Sequence, residues 1–452
     1  MNRRLFGWRF LFGGLVAVFA LWTVSLLAAV PNRPSPRVVS HRPALGEVPI
    51  TFNNQVVRIL QARCQTCHRT GGIAPFSLVS YGDAFVNRVN IVLQTSQRHM
   101  PPWHVDSSCA AYEDDPSLTQ AEIDTFARWV SAGAPQGDPG DLPEPRTFPD
   151  GWELGPPDQV LTMPEPMTPD FKDGDVYRCF VLPTGLSEDR FVSAVEVTPG
   201  SRRMVHHVIL FVDMSGAARR LDEAEAGLGY TCFGGPGFDV SVTSASLGGW
   251  VPGNRPRPLP DGVGMPLPRG SSVVMQVHYS ERSGVQEADV SSVGLYFAKG
   301  AVRKRLLFAP VINQEFTIPA GAADHEVTAS IPFLPFGVHV LNVTPHMHLL
   351  GKTMKVTARL PDGRQVCLVD VPDWDFHWQG TYTYKTPVAL PFGTRIDLSA
   401  RYDNSDGNPE NPNSPPRDVR WGEGTTDEMC IAFLGVTLDA EDLAPTKAWG
   451  QR

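Results

Sequence analysis

Long runs of basic residues are missing from this chain of 452 residues. Lys and Arg number 39 against 48 Asp and Glu, so the formal net charge is -9. The two basic clusters, 202–203 and 303–305, are short. Tight binding to a phosphate backbone needs many neighbouring cationic side chains. The sequence therefore predicts no nucleic-acid partner.

Several familiar catalytic arrangements are missing as well. The sequence shows no Ser-His-Asp arrangement, no phosphate-binding loop and no pair of carboxylates placed for acid–base catalysis. Cysteine is scarce, with seven residues. These classes of chemistry therefore do not compete with a metal or cofactor interpretation.

Proline and glycine, in contrast, are abundant, with 42 and 41 residues. They favour short strands and turns over long helices, and the length allows about three domains. Beyond residue 156 the spacing of apolar runs predicts strands of β-sandwiches. These runs are 191–197, 205–212, 272–279, 292–297, 339–343, 354–360, 394–402 and 430–436. The region is too large for one sandwich, so we expect two in tandem.

The N-terminus carries an uncharged run from residue 10 to residue 30, preceded by Arg3, Arg4 and Arg9. Such a run is long enough to span a bilayer with the arginines on the cytoplasmic side. We favour an uncleaved anchor at 1–30, followed by a flexible segment at 31–46. The alternative is a signal peptide cleaved after Leu27-Ala-Ala29. Either predicts that the remainder lies in the periplasm or on the extracytoplasmic face of the membrane.

The motif Cys64-Gln-Thr-Cys67-His68 is the attachment sequence of c-type haem. The two thiols form thioethers to the haem, and His68 becomes an iron ligand. A zinc or redox CxxC motif is the alternative. Met100, which precedes two prolines, is predicted as the sixth ligand, with His99 and His104 as rivals.

Two helices are predicted around this motif, at 53–60 and 118–132. The second has a capping box at Thr119 and Glu122 and ends before Gly133. Helices that flank CxxCH and a Met-Pro-Pro loop resemble a small all-α cytochrome c domain, at 47–135. The Pro/Gly-rich stretch that follows cannot form regular structure and is interpreted as a linker, at 136–155.

Two histidines one residue apart, His346 and His348, lie in an apolar run. Side chains alternate along a strand, so both point to one side and Met347 points to the other. This geometry favours a chelate, although a polar strand face is the commoner explanation for an isolated HxH.

Other candidate ligands are His206, His207, His278 and Met429, each in or beside an apolar run. A thioether stabilises Cu(I), which predicts one redox copper on His346, His348 and Met429 and a second on the remaining histidines. Adjacent histidines share an ion only at a strand end or a bulge. Hydrogen-bonded core histidines are the alternative.

These residues occur in a characteristic order along the chain, between about 170 and 440. The order is Tyr177-x-Cys179, His206-His207, Gln276-Val-His278-Tyr279, His346-x-His348-x-x-Gly351 and Asp427-Glu-Met429-Cys430. It resembles the copper type II, ascorbate-dependent monooxygenases. The resemblance implies two all-β jelly-roll sandwich domains, at 156–305 and 306–445, with a short tail at 446–452. It implies one copper in each domain and a solvent-filled cleft between them. The resemblance further implies that the first copper transfers electrons and that the second binds O₂ and hydroxylates a C–H bond.

Three positions depart from the family members that act on peptidylglycine. Those members hold the substrate carboxylate with an Arg, an Asn and a Tyr, where this chain has Thr344, Ile431 and Phe433. A buried carboxylate would lack its counter-ion here. The sequence therefore argues against peptide amidation and favours a more apolar substrate.

The cysteines outside the haem motif are assigned in part from the same resemblance. Cys179 and Cys232 occupy positions that resemble a family disulfide. Cys367 and Cys430 remain as a pair in the second sandwich, where a bridge would hold Met429 beside its strand, and Cys109 is left over.

The predicted function is a copper-dependent monooxygenase with two copper ions and one covalent haem c. Its partners are a small-molecule substrate, O₂ and an external electron donor, which is an ascorbate-like reductant or a redox protein. The membrane is a further partner through the N-terminus. The fused haem is expected to feed the first copper, because a short tether keeps those centres close. The alternative is a non-catalytic electron-transfer or copper-carrying protein.

Overall fold

The structure is a computed structural model that describes residues 49–149, 151–239, 246–252, 254–280 and 284–443. The predicted anchor at 1–30, the flexible segment at 31–46 and the tail at 446–452 lie outside these ranges. Within them, no helix combines the length and the apolar character that crossing a membrane requires.

Helices dominate the first part of the described chain. They are a π-helical turn (Phe52–Val56), α1 (Val57–Arg63), α2 (Tyr81–Val86), α3 (Arg88–Ser96) and α4 (Gln120–Ser131). Their apolar faces form one core, in which Phe126 and Trp129 are fully buried. The predicted capping box at Thr119 and Glu122 is confirmed.

The helices α2 and α3 were not predicted. Ser80 caps α2 in a capping box with Asp83, a signal that the sequence does contain. Along α3, however, Val89 and Leu93 are 63% and 46% exposed. Its apolar residues are therefore not confined to a buried face, so periodicity alone does not identify this helix.

The stretch interpreted as a linker is not a free tether. The main-chain N–H groups of Phe52 and Asn53 donate to the carbonyls of Pro135 and Gln136, at 3.0 and 2.9 Å. Further along, residues Pro139–Asp141 form a turn of 3-10 helix. The rest of the described part of 136–155 forms no helix or strand, and the open N–H groups at the start of the first helical turn bind carbonyls at the beginning of this stretch.

The first β-sandwich consists of two five-stranded sheets. Its elements are β1 (Gln159–Thr162), β2 (Val176–Pro183), β3 (Arg190–Thr198), β4 (Val205–Asp213), α5 (Ala217–Ala224), β5 (Tyr230–Thr231), β6 (Ser246–Trp250), β7 (Val263–Leu267), β8 (Ser272–Tyr279), β9 (Ser292–Phe297) and β10 (Lys304–Arg305). The strand orders are β1-β9-β3-β7-β10 and β5-β2-β8-β4-β6. Apolar side chains from both sheets, such as Val192 and Val208, share one core. The Cys179–Cys232 disulfide is confirmed in this sandwich.

The second β-sandwich has two four-stranded sheets and a short two-stranded one. Its strands are β11 (Leu307–Asn313), β12 (Thr317–Ile318), β13 (His325–Ile331), β14 (Val338–His346), β15 (Gly351–Arg359), β16 (Gln365–Val371), β17 (Tyr382–Leu390), β18 (Arg395–Tyr402), β19 (Val419–Arg420) and β20 (Cys430–Leu438). The strand orders are β11-β20-β14-β17, β13-β18-β15-β16 and β12-β19. Each of the eight runs predicted from the sequence overlaps an observed strand.

Residues 101–117, here called the bridging segment, connect α3 to α4 and pack on the second sandwich. Val105 and Tyr112 are buried in the core of that sandwich. The Tyr112 hydroxyl donates to the Leu368 carbonyl at 2.9 Å, and the Asp106 N–H donates to the Asp370 carbonyl at 2.8 Å. The helical region and the second sandwich are therefore joined directly.

The pairing of Cys367 with Cys430 is wrong. Cys367 forms a disulfide with Cys109 of the bridging segment, with a Cα–Cα distance of 5.3 Å, and Cys430 is free and buried. Cys430 lies on β20 and faces the core, while Cys367 lies on an edge strand of the opposite sheet. Packed sheets are about 10 Å apart, which exceeds the reach of a disulfide.

Candidate metal centres

The first histidine group consists of His206, His207 and His278. His206 and His207 lie at the start of β4, and His207 is paired with His278 on β8. The register between these strands shifts between Val205 and His207. This β-bulge lets the side chains of His206 and His207 point to the same side. Adjacent histidines can share one metal ion only in such an arrangement.

The three rings converge through their Nδ1 atoms. Nδ1 of His207 lies 3.3 Å from Nδ1 of His206 and 3.4 Å from Nδ1 of His278. Nitrogens bonded to one tetrahedral ion at about 2.0–2.1 Å are roughly 3.3 Å apart. Among residues in the described ranges, this is the one set of three or more His, Cys, Asp or Glu whose ligand atoms lie within 4.8 Å of one another. Its spacing and its all-imidazole chemistry fit a copper ion.

Neighbouring side chains fix the orientation of His278. Its Nε2 lies 2.8 Å from an Asp175 carboxylate oxygen. Its ring stacks on Tyr177, with centroids 4.2 Å apart and planes 9° apart. A carboxylate on one ring nitrogen selects the tautomer whose other nitrogen is free to bind a metal. Asp175 therefore directs Nδ1 of His278 towards the other two rings.

The second histidine group consists of His346 and His348, at the end of β14. Their ring centroids are 5.1 Å apart, and Met347 between them is fully buried in the sandwich core, as alternation predicts. Nδ1 of His346 lies 2.5 Å from Gln379 Oε1, and Nδ1 of His348 donates to the Asp427 carbonyl at 3.1 Å. Because both Nδ1 atoms are engaged, Nε2 is the available ligand atom in each ring.

The backbone at Met429 is tied to the segment around His348 by the side chain of Glu428. The Glu428 carboxylate accepts the N–H groups of His348 at 2.9 Å, Leu350 at 2.6 Å and Met429 at 3.2 Å. Glu428 is fully buried, and burial raises its pKa to about 8 against the opposing effect of these donors. One carboxylate thus joins the turn that follows His346 to the backbone of Met429.

Burial favours the neutral form of four imidazoles, two in each group. Burial, followed by the neighbouring His278 ring, lowers the pKa of His206 to about 3 and that of His207 well below its usual value. Burial also lowers the pKa of His346, and it lowers that of His348 to about 3 with a contribution from His346. Imidazole binds metals only when neutral, so these four rings are ready to act as ligands at neutral pH.

A loop between β16 and β17, residues 373–380, contacts both histidine groups and is here called the site loop. The ring of Phe376 stacks on His206 at 5.2 Å and meets His348 edge-on at 6.0 Å. The side chain of Trp374 donates to the His348 carbonyl at 3.2 Å, and Gln379 contacts His346. The family resemblance implies a solvent-filled cleft between the copper sites. Here a buried phenyl ring lies in contact with both groups.

The positions compared with the peptidylglycine enzymes lie beside the second group. Thr344 is paired with Phe433, and His346 is paired with Ile431, across β14 and β20. The hydroxyl of Thr344 is 2.8 Å from that of Thr381. Alternation puts the side chains of Thr344, Ile431 and Phe433 on the same face as His346. The three positions therefore contribute no charge to this face.

The predicted haem ligands lie in the helical region. Cys64 and Cys67 are free and half-buried, and Nδ1 of His68 lies 3.2 Å from the carbonyl of Phe76. This contact leaves Nε2 of His68 available to a metal. The helical region that carries the motif exposes several large apolar side chains, between 36% and 77%: Phe76, Val79, Val86, Val89, Leu93 and Met100. So many exposed apolar side chains in a small region fit the binding of a large apolar ligand.

The two rivals of Met100 lie close to it in the chain. Of these, His104 has its Nε2 3.9 Å from an Asp375 carboxylate oxygen. Its side chain is 14% exposed and lies at the contact between the bridging segment and the site loop. His104 thus faces the second sandwich.

Comparison with known proteins adds to this geometry. Residues 306–436, which form most of the second sandwich, match the family model of the C-terminal domain of copper type II ascorbate-dependent monooxygenases. The match includes His346, His348 and Met429. It supports that family and suggests a copper-dependent monooxygenase.

Two curated relatives bear the same name, DBH-like monooxygenase protein 1. The Mus musculus protein is 25% identical over 292 residues, which are 58% of this chain and 44% of that protein. The Homo sapiens protein is 23% identical over 279 residues, 56% of this chain and 43% of that protein. The chain thus spans less than half the length of these relatives. A solved structure, the major capsid protein P2 from Bacteriophage PM2, is 9% identical and covers 63% of this chain and 98% of that chain. Its TM-score of 0.23 is too low to indicate a shared fold.

Sequence reasoning missed three residues that support the histidines. Asp175 directly precedes β2, and alternation puts it on the same side as Tyr177, which pairs with His278, so its position two residues before Tyr177 was a usable signal. Phe376 and Gln379 belong to a loop about 30 residues from His346 in the chain. Nothing in their local sequence indicates contact with histidines.

Proposed function

We propose that this chain is a copper-dependent monooxygenase that uses O₂ to hydroxylate a C–H bond of an organic substrate. One copper is held by His206, His207 and His278, and the other by His346, His348 and Met429. The proposal depends above all on the convergence of three Nδ1 atoms at one point of the first sandwich. The family match of the second sandwich supports it.

The strand order supports two jelly-roll domains. Without the short strands β5, β10, β12 and β19, each sandwich has eight strands. Numbered along the chain within each sandwich, one sheet has the order 1-8-3-6 and the other 2-7-4-5. This is the arrangement of a jelly roll. The repeated order supports the proposal of two related domains with one copper site each.

The two histidine groups have different proposed roles. Bound copper supplies one-electron transfer at the first group and activation of O₂ at the second. Asp175 orients His278, while Gln379 and the Asp427 carbonyl orient His346 and His348. The buried ring of Phe376 lies against His206 of the first group and His348 of the second, and it excludes water from the space that it fills. Hydroxylation needs two electrons and two protons per O₂, with water as the second product.

The face beside the second group favours an apolar substrate over a carboxylate. Thr344, Ile431 and Phe433 offer no cation, and an anion buried there would keep its full desolvation cost. Peptide amidation is therefore not the proposed reaction.

The helical region is proposed to carry a covalent haem c on Cys64 and Cys67. His68 and Met100 are the proposed iron ligands, and the exposed apolar side chains around the motif would cover the haem faces. Bound haem supplies one-electron transfer from an external donor, which is an ascorbate-like reductant or a redox protein. The proposed location is the periplasm or the extracytoplasmic face of the membrane, where disulfides persist.

Two measurements on the purified holo-protein test the function. Elemental analysis is expected to give two copper ions per haem iron. Zinc in place of copper would contradict the copper sites. The second measurement is O₂ uptake by the reduced protein in the presence of apolar candidate substrates, with product analysis. Uptake that stays independent of every substrate, with copper and haem bound, would favour a non-catalytic electron-transfer or copper-carrying protein.

A further inference from the structure

The bridging segment holds the helical region against both sandwiches. On the side of the second sandwich it is fixed by the Cys109–Cys367 disulfide and by the N–H of Glu113, which donates to the Thr383 carbonyl at 2.8 Å. On the side of the first sandwich, Asp114 forms ion pairs with Arg255, at 3.6 Å, and with Arg257. The residues that follow Met100 therefore have a fixed position relative to the histidine groups.

His104, four residues after Met100, is the point where this segment meets the site loop. Its side chain is mostly buried, and within the described ranges its Nε2 has no hydrogen-bond partner. A carboxylate oxygen of Asp375 lies 3.9 Å from this Nε2. Asp375 is the direct neighbour of Phe376 in the chain. His104 is thus connected to Phe376 through its contact with Asp375 and the peptide bond between Asp375 and Phe376. The ring of Phe376 in turn touches both histidine groups.

A second path leaves the same segment at Trp103. The indole of Trp103 meets the ring of Tyr382 at 5.2 Å and that of Tyr112 at 6.2 Å. Both tyrosines are buried in the core of the second sandwich. This aromatic cluster anchors the segment and leads into the core, whereas the contact of His104 leads to the site loop. Tyr382 lies beside Gly380 at the far end of the site loop, whereas the contact of His104 leads to Phe376 and so to His206 of the first group.

We propose that Asp375 and Phe376 are positioning residues that couple the haem-bearing helices to His206, along the path His104, Asp375, Phe376, His206. This inference rests on the proposed function. In the step, one electron leaves ferrous haem, which becomes ferric, and reduces Cu(II) at the first histidine group to Cu(I). No bond is formed or broken, and the external donor reduces the haem again. Electrons thus enter the first copper through a loop of the second sandwich.

The geometry at Phe376 favours His206 as the end of the path. The ring of Phe376 lies nearly parallel to that of His206, with 20° between the planes, but it is almost perpendicular to His348, at 82°. Stacked rings share a larger contact area than edge-on rings. The stacking therefore couples the site loop more closely to the first histidine group, although the loop belongs to the second sandwich.

The test follows electrons within the full-length holo-protein without turnover. The oxidised protein, loaded with copper and haem, is mixed anaerobically with less than one equivalent of a reduced small cytochrome. Haem reduction and reoxidation are followed by absorbance, and loss of Cu(II) by electron paramagnetic resonance. We expect Phe376→Leu to slow haem reoxidation severalfold, while the Cu(II) spectrum, the copper content and the haem potential stay unchanged. Phe376→Tyr, which keeps the ring, is expected to retain the original rate.

Two further variants complete the design. His104→Leu lies away from the candidate copper ligands and is expected to slow the same step. Phe392→Leu replaces an exposed ring that packs on Phe333 at the surface of the second sandwich, and it is expected to have no effect. Unchanged reoxidation in both Phe376→Leu and His104→Leu, with both metals bound, would overturn the inference. Absence of haem or copper from the unaltered protein would instead overturn the proposed function on which it rests.

Discussion

The two histidine groups differ in which imidazole nitrogen is available to a metal. In the first group the Nδ1 atoms converge, and Nε2 of His278 is held by the carboxylate of Asp175. In the second group the Nδ1 atoms are held by Gln379 and a main-chain carbonyl, which leaves both Nε2 atoms available. The supporting partner is thus an anion in the first group and is neutral in the second.

This difference matches the proposed division of roles. A carboxylate partner makes an imidazole a stronger donor, which stabilises the more highly charged Cu(II). Neutral partners together with the soft sulfur of Met429 favour Cu(I), the state that reacts with O₂. The two sites are therefore expected to differ in how they respond to loss of one supporting side chain.

The largest effect is expected for Met429→Ile, which removes the soft ligand and keeps an apolar side chain. Turnover should fall at least by the roughly 100-fold that loss of an outer-shell partner can cost. Haem content and copper at the first group should remain, as measured by absorbance and electron paramagnetic resonance. Met163→Ile, at a buried methionine in the first sandwich, is the control for the change in side chain. Unchanged turnover in Met429→Ile would make Met429 an ordinary core residue.

The next largest effect is expected for Asp175→Asn, because the amide keeps the shape of the carboxylate and loses its charge. Copper affinity at the first group should fall by about 10-fold to 100-fold, and affinity at the second group should not change. Competitive chelation measures both. Asp170→Asn alters an exposed carboxylate in the same sandwich and should leave both affinities intact. Equal weakening at both sites would contradict the separate roles.

A smaller effect is expected for Gln379→Leu in the second group. Loss of a neutral acceptor removes the contact that orients His346, so copper affinity there should fall by no more than about 10-fold. The same chelation experiment measures it. Gln314→Leu, at an exposed position of the second sandwich, is the matched control. A loss larger than that of Asp175→Asn at its own site would reverse the comparison.

The last effect concerns folding stability and not copper, and it is expected for Glu428→Gln measured on the metal-free protein. An amide cannot accept all three N–H groups, so one buried donor is left unsatisfied at about 1–3 kcal/mol of unfolding free energy. Chemical denaturation measures this difference. Glu315→Gln, at an exposed position in the same sandwich, should change it little. Equal stability of the two variants would show that Glu428 does not hold the turn after His346.

The local parts of this architecture could be predicted from the sequence. Apolar runs between Gly/Pro turns identified β4, β8, β14 and β20, which carry or flank the histidines, and strand alternation turned Met347 away from His346 and His348. Capping chemistry identified the start of α4. Both signals depend on residues a few positions apart, so they act before any long-range contact forms.

Long-range contacts are the part of the structure that these local signals did not reveal. Cysteine counting paired Cys367 with Cys430 because both belong to one sandwich, yet a residue 258 positions earlier in the chain is the partner of Cys367. The stretch after Pro135 has the composition of a free linker, but it hydrogen-bonds to the start of the first helix. Amino-acid composition carries no information about which distant segment of the chain packs against a given stretch.

The candidate ligands, their order along the chain and the strands that carry them could be predicted from local sequence, because side-chain chemistry and strand period are local properties. The bulge beside Val205 that turns His206 and His207 to one side is visible only in the folded chain. The tertiary structure also decided that Phe376 contacts both groups and that the bridging segment reaches the site loop. These contacts join residues far apart in the chain, and packing of the two sandwiches selects them.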